Sequence, residues 1–155
     1  MSVKLRPVQG KDMDAMYGML SDPDSRRMAP FVALQFEDRA AFDAEMVALE
    51  SDPSVLLFAV VAGNHFVGAC MSFDGKSGRE VFYWIRRLAW GRGISSEGLA
   101  RLLEIDHTRP MFARVTDQND RALAVLAKLS FTEYGRQVRT MPDGTTVTEL
   151  TYVKQ

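Results

Sequence analysis

Cysteine is almost missing from this chain. Cys70 is the only one in 155 residues, which excludes an intramolecular disulfide and a cysteine-based zinc cluster. Histidine is nearly as scarce. His65 and His107 stand without metal-ligand spacing, so no metal site is expected. Charge of one sign is lacking too: 19 basic against 20 acidic residues leave a formal net charge of -1. No chain-wide basic field exists to hold nucleic acid or an anionic membrane. Long apolar runs are absent. The longest, Val55 to Ala62, is far short of a membrane span, and the opening residues Met1 to Pro7 place Lys4 and Arg6 where a signal peptide needs an apolar stretch. These absences leave a reduced, cytoplasmic protein as the simplest expectation. They also leave one domain over residues 1–155, long enough to bury its own core without staples.

What is there has a clear order. Val3 to Pro7 alternates and predicts a short strand. Met13, Met16, Tyr17 and Leu20 recur at helical spacing, and Ser21 to Ser25 breaks that helix. Arg26 to Phe36, with Pro30 and no period, is read as loop. Glu37 to Leu49 predicts a second helix, with Phe42, Met46 and Leu49 on one side. Ser54 to Ala62 is apolar and β-branched, as a strand buried on both faces would be. A turn at Gly63-Asn64 leads to a strand at Phe66 to Phe73, and a turn at Gly75 to Gly78 leads to another at Arg79 to Leu88. Ser95 or Ser96 is expected to cap a helix running to about His107. A strand at Met111 to Val115 and a helix at Asn119 to Leu129 follow. A hairpin of Phe131 to Arg139 with Thr145 to Tyr152 ends the chain. The order βααβββαβαββ predicts an α+β domain, a mixed and mostly antiparallel sheet flanked by about four helices.

The unit from Arg79 to Leu103 carries the chemistry. Gly91 and Gly93 flank Arg92 between a strand and a helix. Glycine lets a ligand approach the backbone, and the helix start presents free N–H groups to an anion such as a diphosphate. Arg92 can add a charge-assisted contact. A tight turn alone would need the same glycines. Neither rival phosphate motif fits. No Gly-x-x-x-x-Gly-Lys-Ser/Thr occurs, and Ser96 stands where a dinucleotide fingerprint has its third glycine.

The stretch Tyr83 to Leu99 (YWIRRLAWGRGISSEGL) resembles the acetyl-CoA signature of GNAT acetyltransferases, most of all the branch with ribosomal-protein N-terminal acetyltransferases. A second block, Ala113-Arg114-Val115 with Asn119 to Phe131, is similar to the family's later Ala-Arg-Val, Asn, helix, Leu-Gly-Phe pattern. Four departures stand out: a short Glu104 to Met111 connection, Ala122 for a frequent serine, Leu126 where many members have a tyrosine general acid, and Ser130 for the glycine before Phe131.

The resemblance implies an N-acetyltransferase that moves an acetyl group from acetyl-CoA directly to a primary amine, either a protein N-terminus or a small molecule, in a ternary complex. With the composition, the expectation is no metal, no nucleic-acid or membrane partner, and a monomer or homodimer. The backbone near Ile85 would hold the pantetheine and the thioester carbonyl. Gly91, Arg92, Gly93, Ile94, Ser95 and Ser96 would cradle the diphosphate, with Trp90 as a wall of the loop and Asn119 on the CoA arm. Glu80 matches the acidic position before the Tyr-Trp pair. It is the candidate base or ammonium-steering carboxylate, with a solvated strand residue as the plain alternative. If it faces inward, so do Phe82 and Trp84, with Tyr83 opposite. Tyr134 and Tyr83 are candidate proton donors, with burial in the core as the competing reading for each. Cys70 is read as core, His107 as a helix cap and His65 as a solvated turn residue. Ala122 and Leu126 keep an alternative open, a non-catalytic acyl-CoA-binding module of the same fold.

Overall fold

The computed structural model describes residues 2–23, 36, 38–141 and 143–155. The loop expectation at residues 26–35 lies outside them. The elements are β1 (Val3–Pro7), α1 (Met13–Ser21), α2 (Arg39–Ser51), β2 (Leu56–Ala62), β3 (His65–Asp74), β4 (Arg79–Ile85), α3 (Ile94–Ile105), β5 (Met111–Thr116), α4 (Asp120–Lys128), β6 (Thr132–Thr140) and β7 (Thr146–Lys154). This is the expected order. Seven strands form one sheet in the order β1-β2-β3-β4-β5-β7-β6. The β4–β5 contact is parallel and the other neighbours are antiparallel.

Side-chain alternation along the strands divides the core into two. One cluster packs Leu99, Leu102 and Leu103 of α3 and Leu126 of α4 against Val60, Cys70, Val81, Ile85, Met111 and Leu150 of the sheet. The other packs Met16 and Leu20 of α1 and Phe42 and Met46 of α2 against Ala69, Met71 and Trp84. The helices therefore cover opposite faces. Each begins or ends for a local reason. Asp38 caps α2 by accepting from the Ala41 amide at 2.8 Å, and Asn119 caps α4 by accepting from the Ala122 amide at 3.2 Å.

Three boundaries depart from expectation. β4 stops at Ile85, and Arg87–Ala89 forms a 3-10 turn instead of extending the strand to Leu88. The cap of α3 is Gly93 rather than a serine hydroxyl. Its left-handed backbone turns the chain into the helix two residues before a serine would have done so. At the other end Asp106, not His107, is the cap residue. The Asp106 carboxylate accepts from Ser72 at 2.7 Å and from Arg79 at 2.8 Å. Despite its burial, these bonds hold that carboxyl well below the usual carboxylate range.

Ser130 keeps the turn that glycine would have made. Its φ is 69°. Its amide donates to Ala127 O at 3.1 Å and the Phe131 amide donates to Leu126 O at 2.9 Å, the paired bonds of a Schellman ending. A β-carbon in the left-handed region costs about 1 kcal/mol or more. Glycine relieves that cost but returns part of it as unfolded-state entropy. Ser130→Gly is therefore expected to stabilise the fold by about 0.5–1 kcal/mol, a rise in Tm of roughly 2 °C. An unchanged or lower Tm would show that the serine is unstrained there.

Candidate active site

The site starts from a gap in the sheet. β3 and β4 stay in continuous register from Gly68↔Ile85 to Asp74↔Arg79. The irregularity on this side lies instead in β3, where the β2–β3 register shifts between Val60 and Val61. On its other edge β4 meets β5 at one register pair, Glu80↔Phe112. Beyond that pair the two strands share no ladder. The Arg86 amide donates to Val67 O at 2.7 Å. Hydrogen-bonded pairs alternate in an antiparallel ladder, so the N–H and C=O groups of Tyr83 and Ile85 point away from β3, into the gap. The Ile85 carbonyl takes the indole N–H of Trp90 at 2.8 Å. What the gap leaves free is a strand edge, able to pair with an extended ligand that carries amides of its own.

The glycine loop sits at the mouth of this gap. Gly91 and Gly93 have φ of 79° and 76°, which side chains rarely adopt. Gly93 caps α3 without a side-chain hydrogen bond, and the Glu97 amide is the one that returns to Gly93 O, at 3.1 Å. The amides of Ile94, Ser95 and Ser96 precede the first helical bond and carry the positive pole of the helix. Trp90 gathers the rest. The Arg121 guanidinium lies 4.5 Å from its ring centroid, which brings the start of α4, and with it Asn119, to the loop. Asn119 spends its side-chain oxygen on the helix cap. Arg121 was not singled out from the sequence, because only the fold shows that position 121 reaches position 90.

The acidic end of β4 lies apart from the loop. Glu80 and Ile85 are five residues, or about 16 Å, apart along the strand. Phe82 and Trp84 join the α1–α2 cluster while Val81, Tyr83 and Ile85 join the α3–α4 side, so the expected facing holds and Glu80 shares the former face. It is not a solvated residue, being 4% exposed. Its carboxylate accepts from Arg114 Nε at 2.9 Å. A β-carbon on Gly75 would run into it, so the β3–β4 turn closes over its far side. Arg114 lies 3.9 Å from Glu149, which in turn pairs with Arg139 at 2.7 Å. Burial pushes the Glu80 carboxyl up and the Glu149 charge adds to this, while Arg114 pulls it back.

Tyr134 corrects one expectation. It is not a core tyrosine but stands exposed on β6, at the register irregularity between Glu133 and Gly135. Its ring meets Phe112 edge-on, with centroids 5.3 Å apart. Phe112 is the strand partner of Glu80, so the fold does bring Glu80 and Tyr134 to one end of one face. Tyr83 is half-buried against the α3–α4 core, where burial raises its hydroxyl pKa. Burial likewise pushes the Cys70 thiol up to about 12, which removes it as a thiolate at neutral pH. His107 is exposed at the rim of a shallow polar hollow lined by Arg79 and Asp106, away from the glycine loop. Among the described residues no cluster of potential metal ligands occurs, and no helix is long and apolar enough to cross a membrane.

Arg114→Met would leave Glu80 buried without its partner, at a cost of about 3 kcal/mol. The Glu80 pKa, already above its ordinary value when folded, would rise further. Between the unfolded and folded values the native state then binds more protons than the unfolded one, so stability falls as pH rises through that window. Urea unfolding should show a larger deficit at pH 8 than at pH 5. An equal deficit at both would mean that Glu80 does not carry the effect.

Comparisons with known proteins agree with this architecture. The description "Acetyltransferase (GNAT) domain" matches residues 2–132. An uncharacterized N-acetyltransferase p20 of Bacillus licheniformis is 25% identical over 141 residues, covering 84% of this chain and 79% of that protein. Mycobacterium smegmatis RimJ, solved in complex with CoA-disulfide, superposes with a TM-score of 0.80 at 24% identity, over 98% of this chain and 81% of that one. The Vibrio cholerae spermidine N-acetyltransferase, in complex with CoA and spermine, gives 0.81 at 15% identity, over 97% and 95%. With a parallel strand pair that opens beside an uncapped helix start, and with a family match over most of its length, this chain belongs to the GNAT acetyltransferase family.

Proposed function

We propose that this protein transfers an acetyl group from acetyl-CoA to a primary amine, directly and in a ternary complex. The observation that carries the reading is the open edge of β4 ending at a glycine loop and an uncapped helix. The diphosphate sits on the amides from Gly91 to Ser96. The pantetheine lies along β4, its amides pairing with the free backbone groups of Tyr83 and the free N–H of Ile85. Running from the loop past Ile85, it carries the thioester toward the Glu80 end of β4, where a free strand amide polarises the carbonyl. The amine nitrogen attacks the carbonyl carbon, the C–N bond forms, and the C–S bond breaks. One proton leaves the amine and one is taken up by the departing CoA sulfur. Holding both reactants in one gap supplies most of what the step needs.

Glu80 is the acceptor-side carboxylate in this reading. Its bond to Arg114 suits it to act through water or by holding the ammonium, rather than by taking the proton itself. Tyr134, on the same face, is the proposed proton donor. The acceptor is a protein N-terminus or a small amine. The names of the relatives span both a RimJ and a spermidine acetyltransferase.

Calorimetry should show acetyl-CoA binding to the wild type, and a panel of peptides, polyamines and small amines should reveal CoA release with at least one of them. Gly93→Asp places a carboxylate on a left-handed turn where the diphosphate goes, and should abolish binding. Absence of binding at millimolar acetyl-CoA, or full affinity in Gly93→Asp, would overturn the site. Binding without turnover on any amine would favour a non-catalytic CoA-binding module. Cys70→Ala should leave the rate intact, since no acyl-enzyme is formed; an acetylated Cys70 on the path would refute direct transfer.

Glu80→Gln should keep acetyl-CoA affinity while lowering the acetylation rate roughly 10²-fold. A rate and pH profile equal to wild type would remove Glu80 from the acceptor side.

A further inference from the structure

Almost every described arginine of this protein has a partner. Arg6, Arg39 and Arg79 bond carboxylates, and so do Arg87, Arg114 and Arg139. The remaining ones reach a carboxylate or a backbone carbonyl, with three exceptions. Arg86, Arg92 and Arg121 make no side-chain hydrogen bond and no ion pair among the described residues. Arg92 and Arg121 bear on the glycine loop, and Arg86 lies at the end of the strand before it. Arg86 follows the last residue of β4, Arg92 lies between the two left-handed glycines, and Arg121 stacks on Trp90, the residue before Gly91.

Arg121 differs from the other two in being held. Its guanidinium lies over the Trp90 ring, 4.5 Å from the centroid, and the ring is itself fixed by its N–H bond to Ile85 O. This contact is made through the cation over the ring and uses none of the guanidinium N–H donors in a hydrogen bond, so they remain for something else. Those donors form the fork that matches a phosphate in two parallel hydrogen bonds. An unpaired guanidinium pre-positioned beside the glycine loop fits an anion that arrives from outside.

We propose that Arg121, held on Trp90, is a phosphate-binding residue for the cosubstrate, gripping the phosphate end of CoA from the α4 side while the α3 amides hold it from the other. This rests on the reading of the glycine loop as the CoA site. It adds a residue that no part of the glycine motif contains. It also gives Trp90 a second task, since the same ring links the Ile85 end of the gap to the phosphate grip.

The test compares CoA, 3′-dephospho-CoA and pantetheine, which has no phosphate, on wild type and on Arg121→Met, which keeps an apolar stem on the ring. Arg121→Met should bind CoA roughly 10- to 100-fold more weakly, the scale of a charge-assisted contact, and should bind pantetheine as the wild type does. If the loss disappears with 3′-dephospho-CoA, the 3′-phosphate is the partner; if it persists, the diphosphate is. Either supports the proposal. Arg121→Lys keeps the charge without the fork and should fall between the two, which guards against a folding defect in the methionine variant. Equal CoA affinity in wild type and Arg121→Met would overturn this inference alone. So would an equal loss for CoA and pantetheine, since Arg121 would then only brace the loop. A wild type that binds no CoA would overturn the reading of the site and this inference with it.

Discussion

The proposed site depends on two parallel strands that meet once and then part. β4 and β5 share the Glu80↔Phe112 pair and no further ladder. Backbone groups left unpaired inside a sheet are costly to bury and invite a partner. Here the cost is met in two ways. At Ile85 the carbonyl is satisfied from within by the Trp90 indole. The rest of the edge is satisfied by water or by a ligand. A sheet with a continuous β4–β5 ladder would be more regular but would have no place for an extended cosubstrate.

The point where the strands still touch is reinforced on the α1–α2 face. Glu80 of β4 bonds Arg114 of β5, Arg114 approaches Glu149 of β7, and Glu149 bonds Arg139 of β6. Alternating charges thus run across four neighbouring strands. Each inner member is paired, which is the condition for keeping such groups buried. The arrangement also separates the charges of β4 by function. Matched charges sit where the strands join, and unmatched positive charge sits where they have parted, at Arg86, Arg92 and Arg121. In the proposed reading the phosphates of CoA meet unmatched positive charge at the second end.

How much of this was legible in the sequence follows from range. The elements were readable because period and turn chemistry are local: Phe42 and Met46 at helical spacing, Gly63-Asn64 between two apolar runs. The glycine loop was readable for the same reason. Misplaced boundaries came from tertiary or backbone effects that local patterns do not encode. Leu88 looks like strand continuation, yet the chain turns at Arg87 to bring Trp90 back onto Ile85. Ser95 is a good cap by type, yet Gly93 takes the place because its left-handed backbone starts the helix earlier. The site's cross-chain contacts were not legible at all. Nothing in the spacing of 80 and 114, or of 90 and 121, announces a contact. Tyr134 was misjudged toward burial because β6 is the edge strand next to β7, a position that only the strand order reveals.

The departures from the family pattern bear on mechanism in unequal ways. Ser130 changes nothing in the path of the chain, since the Schellman bonds form around it. Leu126 is wholly inside the α3–α4 core and packs with Phe131, so this position adds apolar burial and cannot move a proton. Tyr83 is little better placed, because burial makes its hydroxyl a weaker acid. Cys70 is protonated and enclosed. Cys70 as nucleophile and Tyr83 as internal acid are thus removed by the same cause, burial, and Leu126 by its lack of any acidic group. In the proposed reading the cosubstrate is held mainly by backbone: strand amides at Tyr83 and Ile85, and helix and loop amides from Gly91 to Ser96. Backbone groups survive side-chain substitution as long as the fold does. The fold itself does persist at 24% and 15% identity, with TM-scores of 0.80 and 0.81.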